Sequence, residues 1–135
     1  MGKRAIRNIQ QVETNALGFL MLKLEKQTAY QTVVDSYNKL LSDGWDIYVV
    51  KQVRGHCWYG SHIITVPLWA FERSEAYVIY YLCHEMAHAF AGYEAAHGPA
   101  FMAMLKRICP AGYLHFETGY KLKEAVEAGI MPEDF

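Results

Sequence analysis

Residues 74–101 read SEAYVIYYLCHEMAHAFAGYEAAHGPAF, and everything else in the chain is arranged by how this stretch is read. Ser74 with Glu75 behind it marks a helix start, and Gly92 marks the stop, so the pattern predicts one long helix running to about Ala91. A helix advances about 100° per residue, which sets His88 about 40° and Glu85 about 100° away from His84. Ile79, Leu82, Cys83, Met86 and Phe90 then fall between about 160° and 260°, a core-facing side opposite the polar one.

Two imidazoles four residues apart on one helix face can each offer a nitrogen to a single metal ion, and the intervening Glu85 stands near the open coordination position. The chemistry such a pattern supports is metal-assisted hydrolysis, with Glu85 as the acid/base that moves a proton from attacking water to the leaving amine. In 135 residues with 6 histidines, an HExxH string is expected by chance only roughly 0.02 times. His84, Glu85 and His88 are therefore the first candidate site residues.

A catalytic zinc ordinarily takes three protein ligands and keeps one open position. The metzincin spacing would place Gly at 91 and His at 94, where this chain has Ala91 and Glu94. His97 lies just beyond the helix-ending Gly92 and directly before Gly98-Pro99, a good start for the next helix. A chain that turns at Gly92 returns His97 towards the metal, which makes it the leading third ligand. Glu94, His115 and Glu117 are the alternatives, and His97 as a simple cap of the next helix is the non-functional one.

The run His84-Glu85-Met86-Ala87-His88, followed by His97-Gly98-Pro99-Ala100-Phe101 at the head of a helix, resembles the SprT-like zinc metallopeptidase domain, the family that includes Spartan. The strand-like Gly60–Pro67 segment resembles the strand that precedes the active-site helix in that family. The resemblance covers residues 28–118 and implies one zinc ion held by His84, His88 and His97, with Glu85 as catalytic acid/base. It implies a zincin-like α+β fold and cleavage of peptide bonds in proteins or peptides. Ala100 stands where many members carry an acidic residue, and nothing after His115 resembles the cysteine-rich zinc ribbon that some members append. Nucleic acid enters as a partner only through this family analogy.

Composition bounds the rest. A chain of 135 residues, 53% hydrophobic and 20% charged, suits one globular domain over 1–135, with 28–118 as its core part, 1–27 as a helical or extended lead-in, and 119–135 as a C-terminal helix and tail. A formal net charge of -1 gives no general field for a nucleic-acid backbone, and Lys3, Arg4 and Arg7 form only a small basic cluster. Three separated cysteines, Cys57, Cys83 and Cys109, make neither a CxxC pair nor a disulfide framework. With no apolar run of membrane-span length and no signal-peptide pattern, a cytoplasmic, intracellular setting is the expectation.

Periodicity supplies the remaining elements. Ile6–Leu24 has helix-compatible spacing, weakened by Gly18, and Thr28–Leu41 carries an apolar stripe stopped by Asp43-Gly44. Trp45–Val53, His56–Tyr59 and His62–Val66 read as strands, the last ended by Pro67, which favours an edge strand or a strand end. A helix follows from Pro99 to Pro110, and Lys121–Ala128 is a last amphipathic segment. Together these predict a small, mainly antiparallel sheet packed against the HExxH helix, with flanking helices. As an edge, His62–Val66 would accept substrate as an added strand.

Further candidates are Tyr77 and Tyr81, which project onto the histidine face and suit hydrogen bonding to a ligand or the floor of a cleft. Tyr113 and His115 are candidates for stabilising the oxyanion. Cys83 points to the core side, and nothing near His56 and Cys57 completes a second metal site. A contrasting function is a zincin-fold binding or regulatory module, DNA-associated by analogy, that holds metal and cleaves nothing.

Overall fold

A computed structural model of the protein describes residues 16–118 of the 135. The expected Lys121–Ala128 helix, the Lys3, Arg4 and Arg7 cluster and the first part of the Ile6–Leu24 segment lie outside the described residues.

The described residues begin with α1 (Ala16–Leu24), in which Gly18 is accommodated on the exposed face while Leu17, Leu20, Met21 and Leu24 are buried. A 3-10 turn at Thr28–Tyr30 leads into α2 (Gln31–Ser42), which buries Val33, Val34 and Leu40 and ends at Asp43-Gly44, where Gly44 takes φ 92°. Then come β1 (Asp46–Val50), β2 (His56–Trp58) and β3 (Ile63–Pro67). Short α3 (Leu68–Arg73) follows β3 directly, and α4 (Glu75–Ala91) is the long helix of the opening motif. After a 3-10 turn at Tyr93–Ala95 the chain forms α5 (Pro99–Ile108), another 3-10 turn (Ala111–Tyr113) and the one-turn α6 (His115–Thr118). This is an α+β fold with six α-helices among the described residues.

The sheet is mixed, with strand order β1-β3-β2, and so departs from the mainly antiparallel expectation. β1 runs parallel to β3 with Asp46 opposite Ile63 and Val50 opposite Pro67, while β2 pairs antiparallel with β3, His56 opposite Thr65. The reason is order: the β2–β3 connection is a short hairpin-like return, which leaves the far side of β3 for β1, and two strands entered in the same sense must then pair in parallel. β3 is accordingly the central strand, buried along its whole length, and not an edge. Pro67 is tolerated because it is the strand's last residue and also the residue before α3, where the ladder ends anyway. Both sides of β3 being taken, it cannot receive a further strand.

α4 occupies the centre, packing on β3, β2, α5, α3 and α2. It is buried continuously from Tyr77 to Ala87. The core face predicted from the helical wheel is present in Ile79, Leu82, Cys83 and Met86, but the opposite face is covered as well, since His84 is only 2% and Glu85 only 3% exposed. None of the described helices is long and apolar enough to cross a membrane.

Candidate metal centre

α4 starts where Ser74 Oγ accepts a hydrogen bond from the Tyr77 amide at 3.0 Å, satisfying one of the donors that a helix N-terminus leaves without an intrahelical partner. It stops at Gly92, whose φ of 93° is a conformation glycine adopts without steric cost. Gly98 then precedes α5 with Pro99 at its first position.

Between these helices the Gly98 amide bonds the Ala95 carbonyl at 2.8 Å, closing a four-residue turn with Ala96 and His97 at its centre. Ala96 has φ 46° and ψ -125°, the dihedrals of the second residue in a type II′ turn, a place that glycine usually fills. The turn presents His97 back over the last turns of α4. Four residues later Phe101, fully buried, lies against all three imidazoles, with ring centroids 4.4 Å from His88, 4.9 Å from His84 and 5.1 Å from His97. The spacing in HGPAF thus delivers both a donor and the apolar wall on which the donors rest.

The three Nε2 atoms converge. His97 Nε2 stands 3.2 Å from that of His88 and 3.4 Å from that of His84. Nitrogens bound to one tetrahedral zinc at about 2.0–2.1 Å would be separated by about 3.3–3.4 Å, so the observed separations match an edge of such a tetrahedron. His84, His88 and His97 are the one group of this kind among the described residues, and they are able to hold a metal ion.

The other ring nitrogen of His84 faces Glu117, with Nδ1 2.8 Å from Oε1. Tyr80, one turn before His84, donates its hydroxyl to the same Oε1 at 2.7 Å. Burial raises the Glu117 carboxyl, but the hydrogen bond and charge of His84, the Tyr80 hydroxyl and the charge of His97 together leave it below its ordinary value, so it is an acceptor at neutral pH. Facing an ionised carboxylate, His84 Nδ1 carries the proton, and Nε2 keeps the lone pair that a metal needs. Burial, followed by the Glu117 contact, drives the Tyr80 phenol far up, which keeps it a donor.

Glu85 lies with these histidines along a cleft of about 530 Å³ whose opposite wall is Arg54, Gly55, His56, Cys57 and Tyr59, and whose rim includes Tyr93, Glu94 and Ala96. Burial, then the negative charge of Glu85, pushes the Cys57 thiol of that wall up to about 12. The Tyr59 and Tyr93 rings meet edge to face at 5.6 Å, and Tyr93 is 76% exposed.

Glu94 is on the rim, outside the cluster of converging donors, and Glu117 meets the far ring nitrogen of His84 and not the centre of the cluster. The Tyr81 hydroxyl accepts the amide of Gly55, a residue of the cleft wall, at 2.9 Å. Tyr77 packs on Trp69 and Phe116. Tyr113 shares a 2.6 Å hydroxyl contact with Tyr30, and His115 Nδ1 donates to the Gly112 carbonyl at 2.9 Å; neither lines the cleft. Sequence reasoning missed Tyr80, although its position four residues before His84 was a usable signal. It also missed Phe101 as a contact to all three rings, and the partnership of Glu117 with His84.

Comparisons with protein families, curated proteins and solved structures gave no match to this chain.

Proposed function

We propose that the protein is a zinc-dependent peptidase of the SprT-like kind, hydrolysing peptide bonds in proteins or peptides. The observation that carries this reading is the convergence of His84, His88 and His97 Nε2 at tetrahedral-edge distances in the cleft that also holds Glu85. A zinc ion held there supplies Lewis acidity that polarises a carbonyl and acidifies a water. Glu85 is the group that takes a proton from the attacking water and returns it to the leaving amine. Its near-complete burial excludes bulk water from the transfer, and the lone pair of His84 is held ready by Glu117.

β2 supports a polypeptide substrate. It borders the cleft, and in the strand order β1-β3-β2 its outer side has no strand partner among the described residues. An extended peptide laid along that edge brings its backbone past Glu85 and its side chains past Tyr59 and Tyr93.

The test is a metal analysis paired with cleavage of an unfolded protein. One zinc per chain, loss of cleavage with retained zinc in Glu85→Gln, and loss of zinc in His97→Ala are the expected results. Full zinc loading with no turnover on a broad panel of unfolded proteins would refute the peptidase reading.

A further inference from the structure

We infer that Glu117 is a positioning residue of the metal centre, holding His84 in its ligating tautomer and orientation, so that metal affinity depends on a carboxylate that touches no metal. The inference rests on the metal-centre reading of the three histidines.

Glu117 reaches the site from α6, an element separate from both ligand-bearing segments and 33 residues from His84 in sequence. A single oxygen, Oε1, takes both bonds, from His84 Nδ1 at 2.8 Å and from Tyr80 at 2.7 Å. Two short donors on one oxygen fix its place along both directions, so the imidazole cannot rotate about its ring axis without losing a bond. The helix that carries it is seated by Phe116, which packs against Tyr77 at 5.1 Å and Tyr80 at 5.6 Å. The side chains of His84 and Glu117 are 3% and 15% exposed, so water is a poor substitute for either partner.

With the carboxylate absent, His84 is free to populate the tautomer that protonates Nε2, the nitrogen facing His97, and every such molecule has to shift a proton before it binds. Outer partners of this type change metal affinity by about 10- to 100-fold when removed. A purely structural role for Glu117 would instead lower folding stability and leave the affinity of the folded molecules unaltered.

The experiment is a competition titration of zinc against a chromophoric chelator on the full chain stripped of metal, with circular dichroism to verify folding and the visible spectrum of a cobalt-loaded sample to report ligand geometry. Glu117→Ala should bind zinc about 10- to 100-fold more weakly than the wild type and shift the cobalt bands. Glu117→Gln keeps an acceptor at the same place, so it should fall between the two. It also carries the test if the alanine variant does not fold, in which case a loss of roughly threefold or more is expected. Wild-type affinity in a folded Glu117→Ala or Glu117→Gln variant would overturn this inference alone. A wild-type chain that binds no zinc would overturn the metal-centre reading along with it.

Discussion

The Gly55 amide donates to the Tyr81 hydroxyl at 2.9 Å, joining the residue just before β2, on the cleft wall, to α4. Gly55 lies so close to both β3 and α4 that a Cβ there would stand 2.5 Å from the Thr65 carbonyl oxygen and 2.7 Å from Tyr81 Cε1.

Gly55→Ala should therefore push the Arg54–Tyr59 wall outward and, on the proposed peptidase reading, lower peptide turnover without loss of zinc. Tyr81→Phe removes the acceptor from a buried amide and should cost about 1–3 kcal/mol of stability. Urea unfolding of both variants, with zinc content measured alongside, checks this. An unaltered unfolding midpoint for Tyr81→Phe would mean the amide finds another acceptor.

Ala96, with φ 46° and ψ -125°, holds a backbone conformation that costs an L-residue of order 1–3 kcal/mol. Glycine there removes the strain and adds about 0.4–1 kcal/mol of unfolded-state entropy to be overcome. The net expectation is that Ala96→Gly stabilises the metal-free protein by up to about 2 kcal/mol. A lowered thermal midpoint would mean that the turn is not strained.

Tyr77 and Tyr80 are each 4% exposed, and burial is the main reason that both phenols ionise well above their ordinary value. Unfolded tyrosines lose their protons near pH 10, whereas these keep them when folded, so unfolding releases protons above that pH. Their contribution to stability is complete below about pH 10 and declines as pH rises, by up to about 1.4 kcal/mol per pH unit for each group. Urea midpoints of the metal-free protein between pH 8 and 11 should fall accordingly. Tyr77→Phe should make the decline shallower, and an identical slope would count against the burial of that phenol.

Cys57 lines the cleft, yet its thiol is pushed up to about 12, first by burial and then by Glu85, with the Tyr59 hydroxyl offsetting only part. The reactive thiolate is therefore scarce at pH 8. Iodoacetamide should label Cys57 slowly in the native protein and quickly in urea, followed by mass spectrometry. Rapid native labelling would require a far lower pKa than this environment permits.

Much of this was readable from local signals. Ser74 and Gly92 bounded α4 because a side-chain cap and a left-handed stop are decided within a few residues, and His97 was legible because Gly92 and Gly98-Pro99 mark a return of the chain. The sheet was not legible. Pro67 reads as an edge signal, but whether β3 has one neighbour or two depends on where β1 lands, 17 residues away in register. Short α3 was hidden by following Pro67 without a break, and Glu117 by its distance in sequence from the imidazole it serves. Tyr77 and Tyr81 project onto the histidine face, but Tyr80, four residues before His84 and about 40° from it on the same helical wheel, is the tyrosine that meets His84.

The continuous burial of α4 from Tyr77 to Ala87 has a consequence for redesign. On the proposed peptidase reading the same helix is both keel and reagent, so an exchange made there to alter reactivity is also a change to the fold's main support. The rim behaves differently: Tyr93 and Glu94 are exposed and belong to no long helix or strand. If the proposed peptidase activity holds, new substrate preferences are best sought by grafting at that lip, where a poor choice loses a contact and leaves the molecule standing.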